Sequence, residues 1–168
     1  MSKVPARHLS SCAESNPINA MRKPNTPPVS LGNANDIEVA FYEALQRGDI
    51  DKLMACWSDE DDMVCIHPGG ARLVGPTAIR NAFEAMFSNG GIQVQAVKVR
   101  KLDTLSASVH SVLERVDVLL DEGIGRAYVI ATNVYHQTEH GWRMVAHHAS
   151  PVTLNELHEV SETPLLLH

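Results

Sequence analysis

Four residues carry the chemistry this sequence is able to offer: His67, Glu114, Asn133 and His148. His67 ends a β-rich run, Met63 to His67, just before Pro68-Gly69-Gly70. An imidazole titrates near neutrality and so suits a general base or acid; equally, one at a strand end can hydrogen-bond the following turn and hold it. Glu114 shares a strand face with His110, Val112 and Val116, because side chains alternate along a strand. A carboxylate among aliphatic neighbours needs a partner. That partner is either His67 or His148, whose ring it would orient, or Arg100 or Arg126 in a structural ion pair. His147 and His148 are adjacent and therefore point to opposite faces, so the two cannot chelate one metal together. Their register decides which of them looks inward. A hairpin turn of two or four residues sets Asn133 on the face of His148, and a turn of three sets Thr132 there instead. The reading taken forward pairs His148 with Asn133. No P-loop, GxGxxG, GxSxG or HExxH pattern occurs, so neither a cofactor nor a metal is expected, and any chemistry is proton transfer by side chains alone.

These residues need elements to position them. Ile37, Ala40, Phe41, Ala44 and Leu45 recur at helical spacing until Gly48, with Asn35 and Glu38 as a capping box. A shorter helix follows from Asp49 as N-cap and buries Leu53, Met54 and Trp57. Gly75-Pro76 opens a third helix with the stripe Ile79, Ala82, Phe83 and Met86 or Phe87. After Gly90-Gly91 the pattern is strand: one from Ile92, one over Thr104 to Val118, then a hairpin of Ile124 to Gln137 and Trp142 to Ser150 around Thr138-Glu139-His140-Gly141. Three helices segregated to one face of a curved sheet of four to six strands enclose a pocket. Phe41, Tyr42, Trp57, Phe83, His110 and Thr132 are its expected lining, with only one of Phe41 and Tyr42 facing inward and Trp57 serving as either wall or core.

Composition narrows the functional class. With 44% hydrophobic and 20% charged residues the 168-residue chain suits one globular domain, and a formal net charge of −6 without a basic stripe disfavours nucleic acid. No apolar run reaches the ~20 residues of a membrane span, and the N-terminus lacks the apolar stretch of a signal peptide, so no membrane association and a cytoplasmic location are expected. Three cysteines without CxxC spacing indicate neither a disulfide framework nor a thiolate site. Residues 1–33, with Pro5, Pro17, Pro24, Pro27 and Pro28, read as a tail, residues 34–152 as the domain and residues 153–168 as a second tail.

In order and spacing, several short strings resemble one family. They are Ala44-Leu45-Gln46-Arg47-Gly48-Asp49, Trp57, Cys65-Ile66-His67-Pro68-Gly69-Gly70, Ala131-Thr132-Asn133-Val134, and Gly141-Trp142 with His147-His148-Ala149-Ser150-Pro151. Together they resemble the SnoaL-like, ketosteroid-isomerase-like branch of the nuclear-transport-factor-2-like superfamily. The resemblance implies an α+β cone: a curved, mainly antiparallel sheet with three helices on its concave face, in the cystatin-like manner. It also implies a homodimer through the outer sheet face and a small hydrophobic or cyclic ligand in the cone. It does not imply one reaction, since isomerases, cyclases, dehydratases, epoxide hydrolases and non-enzymatic modules share that fold. Ketosteroid isomerase pairs an Asp base with a Tyr and a protonated Asp. The matching positions here are Phe41 beside Tyr42, His67, and Thr132 or Asn133, so that mechanism does not transfer. Two expectations follow. An open cavity with His67 and a second titratable group favours catalysis, whereas a cavity filled by Phe41, Trp57 and Met86 favours a binding or assembly module.

Overall fold

A computed structural model describes residues 32–120, 123–152 and 157. The expected N-terminal tail up to residue 31, and the expected C-terminal tail save Leu157, lie outside them. Helix α1 runs over Ala34–Arg47, α2 over Ile50–Ala55 and α3 over Pro76–Met86, followed by a single 3-10 turn at Phe87–Asn89. The strands are β1 Val64–Ile66, β2 Arg72–Val74, β3 Val94–Asp103, β4 Ala107–Leu120, β5 Gly123–Thr138 and β6 Gly141–Pro151. The pair β1 and β2 departs from the single short strand expected there, because three residues around exposed Arg72 are too few to show an alternation.

Local chemistry starts and stops the helices. The capping box of α1 is Asn33 with Asp36, not Asn35 with Glu38: Asn33 Oδ1 accepts from the Asn35 and Asp36 amides, and Asp36 Oδ2 accepts from the Asn33 amide. Glu38 is thereby released from capping and turns inward, only 6% exposed. Gly48, at φ 65°, closes α1 in the left-handed conformation that glycine adopts without strain. Asp49 caps α2 as expected, through the Lys52 amide. Phe41 and Tyr42 are both buried, correcting the expectation that only one would be. Neighbours on a helix lie about 100° apart, and α1 sits deep enough in the curved sheet for its buried arc to span both.

The six strands form one curved, unclosed sheet in the order β2-β1-β6-β5-β4-β3, antiparallel except where β1 runs parallel to β6. Two bulges bend it: Val97 is extra between the Ala96/Glu114 and Lys98/Leu113 pairs, and Val145 is extra between the Val134/Ala146 and Tyr135/Met144 pairs. The helices cover the concave face. The core lies between them, with Ile37, Phe41, Leu53, Ile79, Val112, Ala131, Tyr135 and Met144 at 0% exposure. No helix among the described residues is long and apolar enough to cross a membrane.

Candidate functional site

Between α1, α3 and the concave sheet lies a cavity of about 200 Å³. Phe41, Phe83, Met86, Val94, Val116 and Val129 make most of its wall apolar. Its titratable groups are Glu114, His67 and His147. Each is delivered by a different element: Glu114 by the inward face of β4, His67 by the chain leaving β1, and His147 by β6 just beyond its bulge. A wider groove of about 730 Å³ opens by Ser58, Asp59, Glu60 and the β5–β6 turn, but its carboxylates are exposed and ordinarily solvated.

A directed chain of hydrogen bonds runs behind the cavity wall. Tyr42 Oη donates to Glu114 Oε1 at 2.6 Å, Asn133 Nδ2 reaches Tyr42 Oη at 3.5 Å, and Asn133 Oδ1 lies 2.7 Å from His147 Nδ1. Each hydroxyl has one proton to give. Tyr42 spends its own on Glu114 and accepts from the Asn133 amide, so when Glu114 is neutral its proton sits on Oε2. Likewise Asn133 Oδ1, as an acceptor, requires His147 to carry its proton on Nδ1. A second buried cluster adjoins the first: Glu38 Oε2 meets His110 Nδ1 at 2.7 Å and accepts from Tyr135 Oη at 3.4 Å.

Burial sets the protonation states. The Glu114 carboxyl is pushed up to about 7, mainly by desolvation, with the Tyr42 hydrogen bond opposing and the charge of Glu38 adding to the rise. His147 is pushed down to about 3, again mainly by desolvation, with His67 and His148 contributing. His67 is lowered by burial, and the Tyr42 hydroxyl is held far above its ordinary range. Cys65, whose thiol is pushed up to about 12 by burial, lies 3.4 Å from His67 Nε2 and stays a thiol. The resulting site is mostly apolar. It offers one carboxyl poised at neutrality and two imidazoles that resist protonation.

The residues singled out from sequence fall into three groups. His67, Glu114, Phe41 and Phe83 come together at the cavity, with the His67 ring 4.8 Å edge-on from Phe83. Asn133, Tyr42 and His110 are buried behind it, and Trp57 packs into the core 6.4 Å from Phe41. His148 and Thr132 are exposed on the opposite face of the sheet, where they pair with each other across β5 and β6. The pairing of His148 with Asn133 is therefore corrected to His147 with Asn133. The turn does hold two residues, Glu139 and His140, as that pairing required; the Val145 bulge then advances β6 by one and exchanges its faces. Glu114 takes Tyr42, rather than a histidine or an arginine, as its partner. The contributions of Tyr42 to Glu114 and of Glu38 to His110 have no local sequence signal, since each pair is separated by 72 residues. His136 and His140 have a spacing that would make a metal pair on a helix, but they fall on β5 and its turn. Among the described residues no three His, Cys, Asp or Glu side chains are grouped to hold a metal ion.

The SnoaL-like domain profile matches residues 34–154. The chain belongs to the SnoaL-like family. Among solved structures, a candidate calcium/calmodulin-dependent protein kinase type II association domain from Thiobacillus denitrificans is 35% identical, covers 73% of this chain and 98% of its own, and superposes with a TM-score of 0.66. A candidate dehydratase of the nuclear-transport-factor-2-like family from Streptomyces avermitilis is 29% identical over 70% of this chain and 91% of its own, with a TM-score of 0.62. A cystatin-like protein from Caulobacter vibrioides, 14% identical over 74% of this chain and 91% of its own, shares the fold at a TM-score of 0.63. No curated protein matches. The fold is thus the one shared by SnoaL-like and nuclear-transport-factor-2-like proteins.

Proposed function

We propose that the SnoaL-like unit, residues 34–152, is a cofactor-free acid/base enzyme of the isomerase or dehydratase type, with Glu114 as its proton-transfer group. One observation carries this reading: a carboxyl poised near 7 whose Oε1 is anchored by Tyr42, leaving Oε2 to serve an apolar cavity. A general base works best when its pKa lies near the working pH. Oε2 of the carboxylate would take the proton of a C–H bond beside a carbonyl, leaving the electron pair on the ligand as an enolate. Returning that proton to a second position gives an isomer; giving it to a departing β-hydroxyl releases water. His67, on the far side of β1's end, is the second polar group of the wall. Asn133 supports the hydrogen-bonded chain behind the wall, between Tyr42 and His147.

Volume narrows the ligand. A cavity of about 150 Å³ lined by aliphatic and aromatic groups holds benzene, and drug-sized ligands need roughly 300–1,000 Å³. About 200 Å³ fits one substituted ring or a short-chain carbonyl compound, and is too small for a sterol. The test is α-proton exchange of cyclohexanone and 2-hydroxycyclohexanone in heavy water, followed by NMR, with wild type and Glu114→Gln. Exchange falling by ~10²–10⁴ in the variant supports the reading. Equal exchange, with binding retained, would leave a ligand-binding module.

The same proposal includes a homodimer through the convex face. Leu102, Val109, Val134 and Ala146 stand opposite one another across β3, β4, β5 and β6, and form an apolar row there. Leu102 is 68% exposed. The association-domain name of the Thiobacillus denitrificans relative is in keeping with an assembly role for this face.

A further inference from the structure

His147 takes no part in the reaction just proposed, yet its ring is placed with unusual care. It is 5% exposed, lines the cavity beside Phe41 at a ring separation of 5.5 Å, and has Nδ1 committed to Asn133 Oδ1 at 2.7 Å. Asn133 is itself held from both sides, by Tyr42 Oη through its amide and by a side-chain contact with Tyr135, so its orientation is fixed. The other ring nitrogen, Nε2, has no hydrogen-bond partner among the described residues. Because Nδ1 is turned to Asn133 behind the wall, Nε2 on the other edge of the ring is the nitrogen left to the cavity that His147 lines. A ring with its proton on Nδ1 has a bare lone pair on Nε2, and a bare lone pair in an apolar cavity lacks the hydrogen bond that water would give it.

We infer that His147 Nε2 is a ligand-contacting acceptor that selects molecules carrying a hydroxyl or N–H donor, with Asn133 as the positioning residue that keeps the lone pair turned to the cavity. The inference rests on the proposed cavity and deepens it by naming the ligand's polar group. Glu114 Oε2 and His147 Nε2 reach the ligand from β4 and β6, two strands separated by β5. The groups that meet on this cavity are His67 from the end of β1, Glu114 from β4 and His147 from β6; α1 and α3 contribute only apolar side chains. The ligand is therefore a single ring or short chain with a donor on one side and an acidic C–H or O–H bond on the other. A ketone lacking any donor binds less well.

The test uses the intact protein, labelled with 15N-histidine, with phenol and anisole as probes of equal ring size. Long-range proton–nitrogen correlation assigns the tautomer, and titration gives both affinities. The expected result is an Nδ1–H tautomer for His147, an Nε2 resonance that moves toward the protonated type with phenol alone, and phenol binding about fivefold tighter than anisole, the usual worth of one neutral hydrogen bond. The preference should vanish in His147→Phe. In Asn133→Leu the tautomer should cease to be fixed. An Nε2–H tautomer in wild type, or equal affinities for the two probes, overturns the inference while leaving Glu114 untouched. Failure of both probes to bind would remove the cavity reading together with this one.

Discussion

Glu114 and His147 pull the pH dependence of stability in opposite directions, so removing one exposes the slope of the other. Glu114 is raised from 4.5 to about 7, so between those values the folded chain holds a proton that the unfolded chain has released, and stability falls as pH rises. The full change is roughly 3 kcal/mol at 1.36 kcal/mol per unit. His147 is lowered from 6.5 to about 3, so between those values the unfolded chain holds the extra proton and stability rises with pH. Where the windows overlap, from about 4.5 to 6.5, the two slopes offset. Glu114→Gln should remove the falling slope and leave unfolding free energy climbing through that interval; urea melts at half-unit steps read this directly, and a flat profile in the variant would contradict the burial assigned to His147. Tyr42→Phe removes the one hydrogen bond that favours the Glu114 carboxylate, so the alkaline rise of α-proton exchange should move above pH 7. Glu114 was legible in the sequence because period-two alternation set a lone carboxylate among valines. Tyr42 was not, because nothing local shows that a helix seated in a concave sheet buries two adjacent aromatics.

At the scale of elements, what positions the cavity is the docking of α1 against the segment entering β3. The Ile92 amide donates to Leu45 O at 2.8 Å and Gln46 Nε2 donates to Val94 O at 2.7 Å, so one backbone and one side-chain hydrogen bond join helix end to strand start. That approach depends on Gly91: a Cβ there would stand 2.0 Å from Gln46 O, and the obstacle is backbone, which no rotamer change can clear. Gly91→Ala should lower stability by about 1–3 kcal/mol, the range for overpacking, and lower the melting temperature by several degrees. Because Leu45 and Ile92 both line the cavity, ligand affinity should weaken as well. An unchanged melting temperature would mean that α1 is free to lift from the sheet. The starts of α2 and α3 and the hairpin were readable, since caps, Gly and Pro act locally, whereas α1 is capped two residues before its apparent cap and the length of the hairpin turn stayed open. The Val145 bulge was not: a valine between Met144 and Ala146 is ordinary strand sequence, yet that one unpaired residue decides which of two adjacent histidines meets the cavity.

At the scale of the molecule, segregation of helices to one side leaves the convex face of the sheet uncovered among the described residues. Order along the chain made this legible, since three helices precede the long strands; the size of the cavity was not legible, because it is the residue left after side chains from eight or more segments have packed. On the convex face the row Leu102, Val109, Val134 and Ala146 is separated from Leu113 and Ile130 by the polar row Arg100, Ser111, Thr132 and His148, so the apolar surface is a stripe with a polar border. Apolar area of this kind stabilises association at roughly 25 cal/mol per Å² before the entropy of pairing is subtracted, and a stable pair needs about 800 Å² from each partner. Val134 is the central member on β5, with its backbone paired to strands on both sides and its side chain away from the core. Val134→Arg should therefore leave the fold and the cavity intact while setting two like charges against each other across a twofold axis. Sedimentation velocity at micromolar protein should give a dimer for wild type and a monomer for the variant, with equal phenol affinity for the two. A wild-type monomer would overturn the homodimer. A dimer that survives the arginine would move the interface to the other apolar prominence, Leu119 and Ile124 at the end of the β4–β5 hairpin, which are 88% and 78% exposed and lie opposite each other.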